Sequence, residues 1–361
     1  MIVVGVDCHK KTHTAVALDR ATGAKLAELT VAARERGHGR LVAWAGTIDA
    51  KRSFALEDCR HVSGTLERYL LVSGEAVVRV PPKLIAGARR SSRSRGKSDP
   101  IDAEAVARAA IRLPDLPAAR LEGPERDLRL LVDHRETGVR RRTRVQSRLR
   151  WLLHSIDPEI RVPPRALDRY VHLDRLEAHL AALVQTVEVS IARSLVGSCR
   201  ELTREADARE REIGALVREL APELLGLPGC AELTAAKIVG EVAGVSRFGS
   251  QAKLALHAGV APLEVSSGER RRHRLNRSGN RQLNAALHRI AVTQMRIHEP
   301  ARTYLERRQR EGLSKREALR CLKRHLVKVI YRRLGEAEAR RSLQPSRPTT
   351  EPMTDEMSAV A

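Results

Sequence analysis

Hydrophobic positions open the chain as a solid block. Ile2 to Val6 is apolar and largely β-branched, as expected of a central strand covered on both faces, and Asp7 ends it. Beyond a polar turn, Thr12, Thr14, Val16 and Leu18 alternate with His13, Ala15 and Ala17, which predicts a second strand; Ala21-Thr-Gly-Ala24 then turns into a third near Leu26 to Ala32. From there the pattern becomes βα: a helix over Arg34 to Ala45, a short strand Ser53 to Glu57, a helix His61 to Val72, a strand Glu75 to Val80 and a turn at Pro81-Pro82. An α/β domain over residues 1–122 is the expectation.

From Gly123 to about Glu219 the pattern changes to long, charged helix. Leu173, Leu176, Leu180, Leu183, Val187 and Ile191 form a heptad-like seam, resumed by Ile213, Leu216 and Leu220. A helical arm over 123–220 is expected, its seam buried against another helix. After the break at Ala221-Pro222, the stretch Leu224 to Lys237 reads as helix, tight hairpin, helix. Leu283, Leu287 and Ile290 share one face of a later helix, and Ser314-x-x-Glu317 opens another as a capping box. Residues 221–341 thus form a mainly helical C-terminal domain, and the Pro-, Thr-, Ser- and Glu-rich 342–361 is expected to be a disordered tail.

Charge adds a partner to this outline. The 361 residues carry a net charge of +22, mostly from arginine, which suits bidentate phosphate contacts and points to nucleic acid. Only two Phe, two Trp and four Tyr are present, so readout through backbone and shape fits better than stacking on aromatic platforms. Cys8, Cys59, Cys199, Cys230 and Cys321 are scattered, without a Cys-x-x-Cys pair, which supports neither a disulfide framework nor a zinc knuckle. His9 and His13 are four apart on a strand and turn, a spacing that does not align them for zinc. With neither a signal peptide nor an apolar run of spanning length, a cytoplasmic protein without membrane contact is expected, associated with the nucleoid when it acts on DNA.

The candidate chemistry lies in acids delivered by the ends of elements. Asp7 closes the first strand and Glu57 the fourth; Asp58 follows at once, but side-chain alternation lets only one of the two face Asp7, and Glu57 is preferred. Arg89, Arg90, Arg93, Arg95 and Lys97 then make up a basic loop suited to gripping phosphates, ahead of Asp99-Pro100-Ile101-Asp102. Asp99 as N-cap, Pro100 at the first helical position and Asp102 at the third make a good helix start. Acids three apart on one helical face can also share a divalent metal, and a cap fixes the geometry such a ligand needs. Asp7, Glu57, Asp99 and Asp102 together provide the oxygen donors that two Mg²⁺ ions require for phosphodiester chemistry. Further basic runs, Arg140 to Arg144 and Arg148 to Arg150, are candidates to hold RNA or DNA.

Gly5-Val-Asp7-Cys-His-Lys10, Glu57 and Lys97-Ser-Asp-Pro-Ile-Asp-Ala103, followed far downstream by Ala258-Gly-Val-Ala-Pro262, Ser267-Gly268 and Ser278-Gly-Asn280, resemble the DEDD transposases of bacterial insertion sequences, which include pilin-gene invertases and bridge-RNA-guided recombinases. The resemblance implies an RNase H-like, RuvC-like N-terminal domain, a coiled-coil arm that dimerises protomers, and a C-terminal transposase domain. It also implies that Ser267 is the position of the family's nucleophile, with Ser266 its neighbour in an alignment one residue out of step. Mg²⁺ held by the acids would activate that serine for attack on DNA, with Arg270, Arg271, Arg272 and Arg274 gripping the phosphate. Implied partners are the DNA of element ends and target, a structured guide RNA, and further copies of the chain as a dimer or tetramer. The segment Leu224 to Lys237 resembles a helix-hairpin-helix, although Ala231 stands where that hairpin's second glycine is usual. Alternatives are a resolvase-like nuclease that uses the acids and water, a non-catalytic nucleic-acid-binding protein, and, ranked last, an actin-like kinase, for which the later glycine-rich nucleotide loop is missing.

Overall fold

The structure, a computed structural model, describes residues 1–57, 60–90, 98–113, 116, 118–119, 123–264, 273–276 and 279–343. Its N-terminal part is a five-stranded mixed sheet. Strands β1 (Ile2–Cys8), β2 (Thr12–Asp19) and β3 (Lys25–Ala32) form an antiparallel meander. After helix α1 (Glu35–Ile48), strand β4 (Arg52–Glu57) pairs parallel to β1; after α2 (Arg60–Val72), β5 (Val77–Val80) pairs parallel to β4, giving the order β3-β2-β1-β4-β5. All seven residues of β1 are buried, as the uninterrupted apolar run requires of the central strand. At the edge, β3 alternates exposed and half-buried positions along most of its length.

Alternate residues of β1 and β4 serve two separate cores. Val4, Val6, Phe54 and Leu56 pack with Leu41, Leu66 and Leu70 beneath α1 and α2. Val3 and Ala55 pack on the other face against Ile85, Ala103 and Val106. That face is covered by α3 (Pro82–Arg90) and α4 (Asp99–Arg112). The expected turn at Pro81-Pro82 is therefore only its first residue: Pro82 starts α3, where a fixed φ and a missing N–H cost nothing. Arg89 and Arg90 consequently close a helix and are not part of a loop; Arg93, Arg95 and Lys97 lie outside the described residues.

The arm is three helices: α5 (Pro124–Ile156), α6 (Tyr170–Ala182) and α7 (Val187–Leu220). The expected apolar seam does not run through it unbroken. The chain leaves helix at Leu183 because Gln185 turns its amide onto the carbonyls of Leu180 and Leu183, and Thr186 caps the next helix by accepting from the Val189 N–H at 3.3 Å. Leu173, Leu176 and Leu180 stay buried against Leu149, Leu153, Val189 and Val196, whereas Val187 is 77% exposed and Ile191 38%. Ile213 and Leu220 join a different core, with Leu216 packed against it. Arg142, in one of the basic runs, is held by Thr203 and Asp168 inside this bundle.

The C-terminal part comprises α8 (Glu232–Val242), α9 (Gln251–His257), the hairpin β6 (Pro262–Glu264) and β7 (His273–Leu275), and helices α10 (Arg281–Ile297), α11 (Glu299–Arg310) and α12 (Lys315–Leu343). Leu283, Leu287 and Ile290 are buried on one face of α10, as their spacing predicts. At the start of α12, the Ser314 N–H and hydroxyl both donate to Glu317, and the Glu317 N–H donates back to the Ser314 hydroxyl.

Candidate functional site

β1 and β4 run parallel with Val6 beside Leu56, so Asp7, the last residue but one of β1, and Glu57, the last of β4, lie at neighbouring strand ends and point to the same face. That face carries α4. Gly5 makes the approach possible: a Cβ at this position would lie 2.2 Å from the Ala103 carbonyl oxygen and 2.5 Å from the Ala107 nitrogen. With no side chain at Gly5, the N-terminal turn of α4 comes down onto the end of β1 and carries Asp99 and Asp102 with it.

The capping expectation changes at this point. The N-cap is Ser98, with Asp99 at the first helical position, so the Asp99 carboxylate is not used to cap the helix. Its Oδ1 instead lies 3.5 Å from His9 Nε2, which lies 3.1 Å from Asp7 Oδ2. Among the described residues, ligand atoms of Asp7, His9 and Asp99 all fall within 4.8 Å of one another. Asp102 is buried in the same first turn, and Glu57 is half-buried. Asp58, the alternative to Glu57, lies outside the described residues.

Burial holds the Asp7 carboxyl above the usual carboxylate range; the Asp102 and Asp99 carboxylates push the same way, against the lowering pull of His9. Several acids are thus gathered where their ionised forms repel. A divalent cation relieves that repulsion, and carboxylate oxygens are the donors a hard cation prefers. The donor set fits such an ion. His9 joins this set, and its four-residue separation from His13 speaks only against a pairing of those two. A histidine two residues after a strand-ending acid is the available signal, since the chain turns back there. His13 itself points into the domain, where its Nε2 is 3.3 Å from that of His38.

The second site residue expected from the sequence, Ser267, lies outside the described residues, as do Ser266, Arg270, Arg271 and Arg272; Arg274 is described and exposed on β7. The hairpin is anchored by two sequence motifs that meet in space. Gly259, at φ +68°, comes so close to Gly279 that a Cβ on the latter would lie 2.2 Å from the Gly259 nitrogen. Asn276 donates to the Leu256 carbonyl at 2.9 Å, Asn284 to the Ala258 carbonyl at 2.8 Å, and the Asn280 N–H to the His257 carbonyl at 2.6 Å. Asn280 also caps α10, accepting from the Leu283 N–H at 2.9 Å, and its amide donates to Glu241 at 2.6 Å.

The helix-hairpin-helix expectation is corrected. A short 3₁₀ turn at Pro222–Leu224, not a helix, precedes the bend, and Gly229 packs against Thr293 and the Ile290 carbonyl of α10. The N–H groups of Leu227 and Cys230 are spent on the carbonyls of Leu224 and Leu227, and the Pro228 carbonyl takes the Gln294 amide. The turn packs against a helix, with two of its N–H groups and the Pro228 carbonyl already engaged.

A mixed sheet of this order, with the acid-bearing central strand meeting an acid-bearing helix start, has the arrangement of an RNase H-like α/β domain. The family described as Transposase IS116/IS110/IS902 family matches residues 221–306, and the IS110-type DEDD family, described as Transposase, matches residues 4–158. The chain belongs to these IS110-type DEDD transposases of insertion elements, enzymes that cut and rejoin DNA. It is 29% identical to the 44.8 kDa protein of insertion element IS116 from Streptomyces clavuligerus, over 97% of this chain and 98% of that one. It is 30% identical to the 43.6 kDa protein of IS110 from Streptomyces coelicolor, over 51% and 47%. Against the 42 kDa protein of IS900 from Mycobacterium paratuberculosis, identity is 24% over 93% and 92%. The T. thermophilus RuvC, solved in complex with a Holliday junction substrate, covers 33% of this chain and 99% of its own at 13% identity and a TM-score of 0.26; the strand order, not that likeness, defines the fold. The four described cysteines are free thiols, and no helix among the described residues is long and apolar enough to cross a membrane.

Proposed function

We propose that the chain is a site-specific DNA recombinase that uses a composite site, Mg²⁺ held by acids of the N-terminal domain and the Ser267 hydroxyl of the C-terminal domain. The observation that carries this reading is the convergence of Asp7 and Asp99 within 4.8 Å at the point where Gly5 lets α4 down onto β1. Asp7 and Asp99 would hold Mg²⁺, with Glu57 and Asp102 completing the acid set, and the ion would supply charge neutralisation at the scissile phosphate and a lowered hydroxyl pKa. His9 donates to Asp7 and fixes its orientation, as a partner of a ligand. Ser267 attacks phosphorus and expels the deoxyribose oxygen, leaving a phosphoserine link that the incoming strand's hydroxyl later resolves.

Three features support the serine. It lies in the eight-residue stretch between β6 and β7, the hairpin is fixed at its base by Gly259, Asn276 and Asn280, and Arg274 follows on β7. The acids lie in the N-terminal part of the sequence and the serine far downstream in the C-terminal part, so an oligomer in which protomers complete one another's sites is a natural arrangement, dimer or tetramer. A structured guide RNA would account for target choice in a basic chain whose sequence offers no obvious helix-turn-helix reader. The resolvase-like reading, with water as nucleophile, is favoured only by the acids and His9 being assembled without the C-terminal domain.

The test is a search for a covalent protein–DNA adduct in the presence of Mg²⁺, with the element's own ends and RNA transcribed from its flanks. Wild type should form it, and Ser267→Ala and Asp102→Ala should not. Cleavage with no adduct, untouched by Ser267→Ala, would make this a metal-dependent nuclease.

A further inference from the structure

Beside the hairpin, a cavity of about 1280 Å³ opens between β6–β7 and helices α10, α11 and α12. Its walls are apolar: Val260, Pro262, Leu275, Ala285 and Leu313, joined by the Tyr304 ring and the imidazoles of His288 and His325. Leu275 is 45% exposed, an apolar side chain left open on the strand that faces this space. The rim has the opposite character. Among the described residues, seven arginine and lysine side chains line the cavity against a single carboxylate, Glu317, which is already engaged by Ser314.

Few of these cations are neutralised from within. Arg308 pairs with Glu311, Arg307 approaches the same carboxylate at 3.8 Å, and Lys323 donates to Asn284 at 2.8 Å. Arg274, Arg281, Arg320 and Arg324 form no ion pair among the described residues, and buried nitrogens of Arg308 and Arg324 have no hydrogen-bond partner there. Burial, and then the Arg320 charge, pull the Lys323 ammonium below the ordinary lysine range; burial, and then Lys323, act likewise on His288. The space carries a positive field without its counter-charge.

Phosphates alone would need the rim and no apolar floor; a duplex would cover the rim without entering. An unpaired strand uses both, with bases against the aliphatic walls and phosphates on the arginines. We propose that this cavity binds a single, unpaired nucleic-acid strand and holds its bases next to the β6–β7 hairpin. The proposal rests on the recombinase reading given above and specifies the form in which that site takes its substrate: melted, not double-helical. It also accounts for how a chain with so few aromatic residues would handle bases, through aliphatic contacts, one tyrosine and two imidazoles in place of a broad stacking platform.

Ala285 is exposed on the cavity side of α10, so Ala285→Trp fills the space without touching the core or the charge. Fluorescence anisotropy with labelled oligothymidine and oligouridine strands of about 12 nucleotides, and with a duplex of equal length, reads the effect. Expected is tighter binding of a single strand than of duplex, weakened about tenfold by Ala285→Trp while duplex binding changes less than about twofold. The DNA and RNA arms identify the strand, and a preference for either over the duplex supports the proposal. Cys321 also lines the cavity and gives a local readout that needs no variant: a saturating single strand should slow its alkylation, followed by peptide mass spectrometry, and the duplex should not. Both measurements are repeated in Ser267→Ala, where loss of adduct with strand binding kept would separate the nucleophile from the cavity. Alkylation of Cys321 at one rate with and without bound strand, or equal weakening of strand and duplex by a folded Ala285→Trp protein, would overturn the proposal.

Discussion

Gly279 lies against the backbone of Gly259, 20 residues earlier, with space for hydrogen and nothing larger: a Cβ at 279 would meet the Gly259 nitrogen and Cα at 2.2 Å. Neither neighbour is a side chain that could swing away, so Gly279→Ala must shift the start of α10 or the end of α9. We expect destabilisation of about 1–3 kcal/mol, as for other overpacked sites. Adduct formation should fall by more than the folded fraction does, because the base of the hairpin moves. Thermal melting beside the adduct assay checks both.

Gly5→Ala tests the other close approach. Its methyl group would drive α4 off β1 and take Asp99 and Asp102 away from Asp7. Titration calorimetry with Mg²⁺ or Mn²⁺ should show affinity reduced about tenfold or more, and unchanged affinity in a folded variant would mean that the acids act without α4.

His9→Ala removes the hydrogen bond at 3.1 Å that orients Asp7. Loss of about 10- to 100-fold in divalent-ion affinity is expected, the usual cost of removing a partner of a ligand. His9→Asn should recover part of it, since an amide can still donate.

Acid sensitivity should trace to His13. Burial above all, then the neighbouring His38 and His9, push its imidazole down to about 4. In the unfolded chain it takes up a proton near pH 6.5, whereas in the folded protein it does so only near 4. Stability present above pH 6.5 is therefore lost as pH falls through this window, by on the order of 3 kcal/mol. Urea unfolding at pH 7 and pH 5 should give a smaller difference for His13→Gln, which does not titrate.

Lys237 on α8 is buried and held by Asp133 at 3.2 Å and Glu136 at 3.0 Å, tying α8 to α5. The two acids are more accessible than the lysine, so the pair is asymmetric. Lys237→Met leaves carboxylates that water can reach and should cost about 1 kcal/mol or less, whereas Asp133→Asn with Glu136→Gln strands a buried ammonium and should cost about 3 kcal/mol. Chemical denaturation of the two variants decides.

Much of this architecture can be read from residues. The block Ile2 to Val6 predicts a central strand because burial on both faces leaves no room for alternation, and the reciprocal bonds of Ser314 and Glu317 follow from their spacing. Other features are invisible for definite reasons. Leu183 and Val187 continue an apolar spacing that suits helix, and only the side-chain bonds of Gln185 and Thr186 reveal that the chain leaves it. Ser98 stands at the N-cap and Asp99 one residue into the helix, a shift of one position that leaves the Asp99 carboxylate beside His9. Gly5 looks like an ordinary strand glycine until α4 is placed upon it.

The 34 residues of α7 take part in two cores: Val189 to Cys199 close the arm, and Ile213 to Leu220 close the C-terminal domain. At about 1.5 Å per residue this is a rod of roughly 50 Å with a foot in each. Shuffling between related elements can therefore exchange the C-terminal half cleanly only if the whole rod travels with it. A crossover inside α7 would join two half-helices whose apolar faces were fitted to different partners, so the exchangeable unit of this transposase is longer than its compact end.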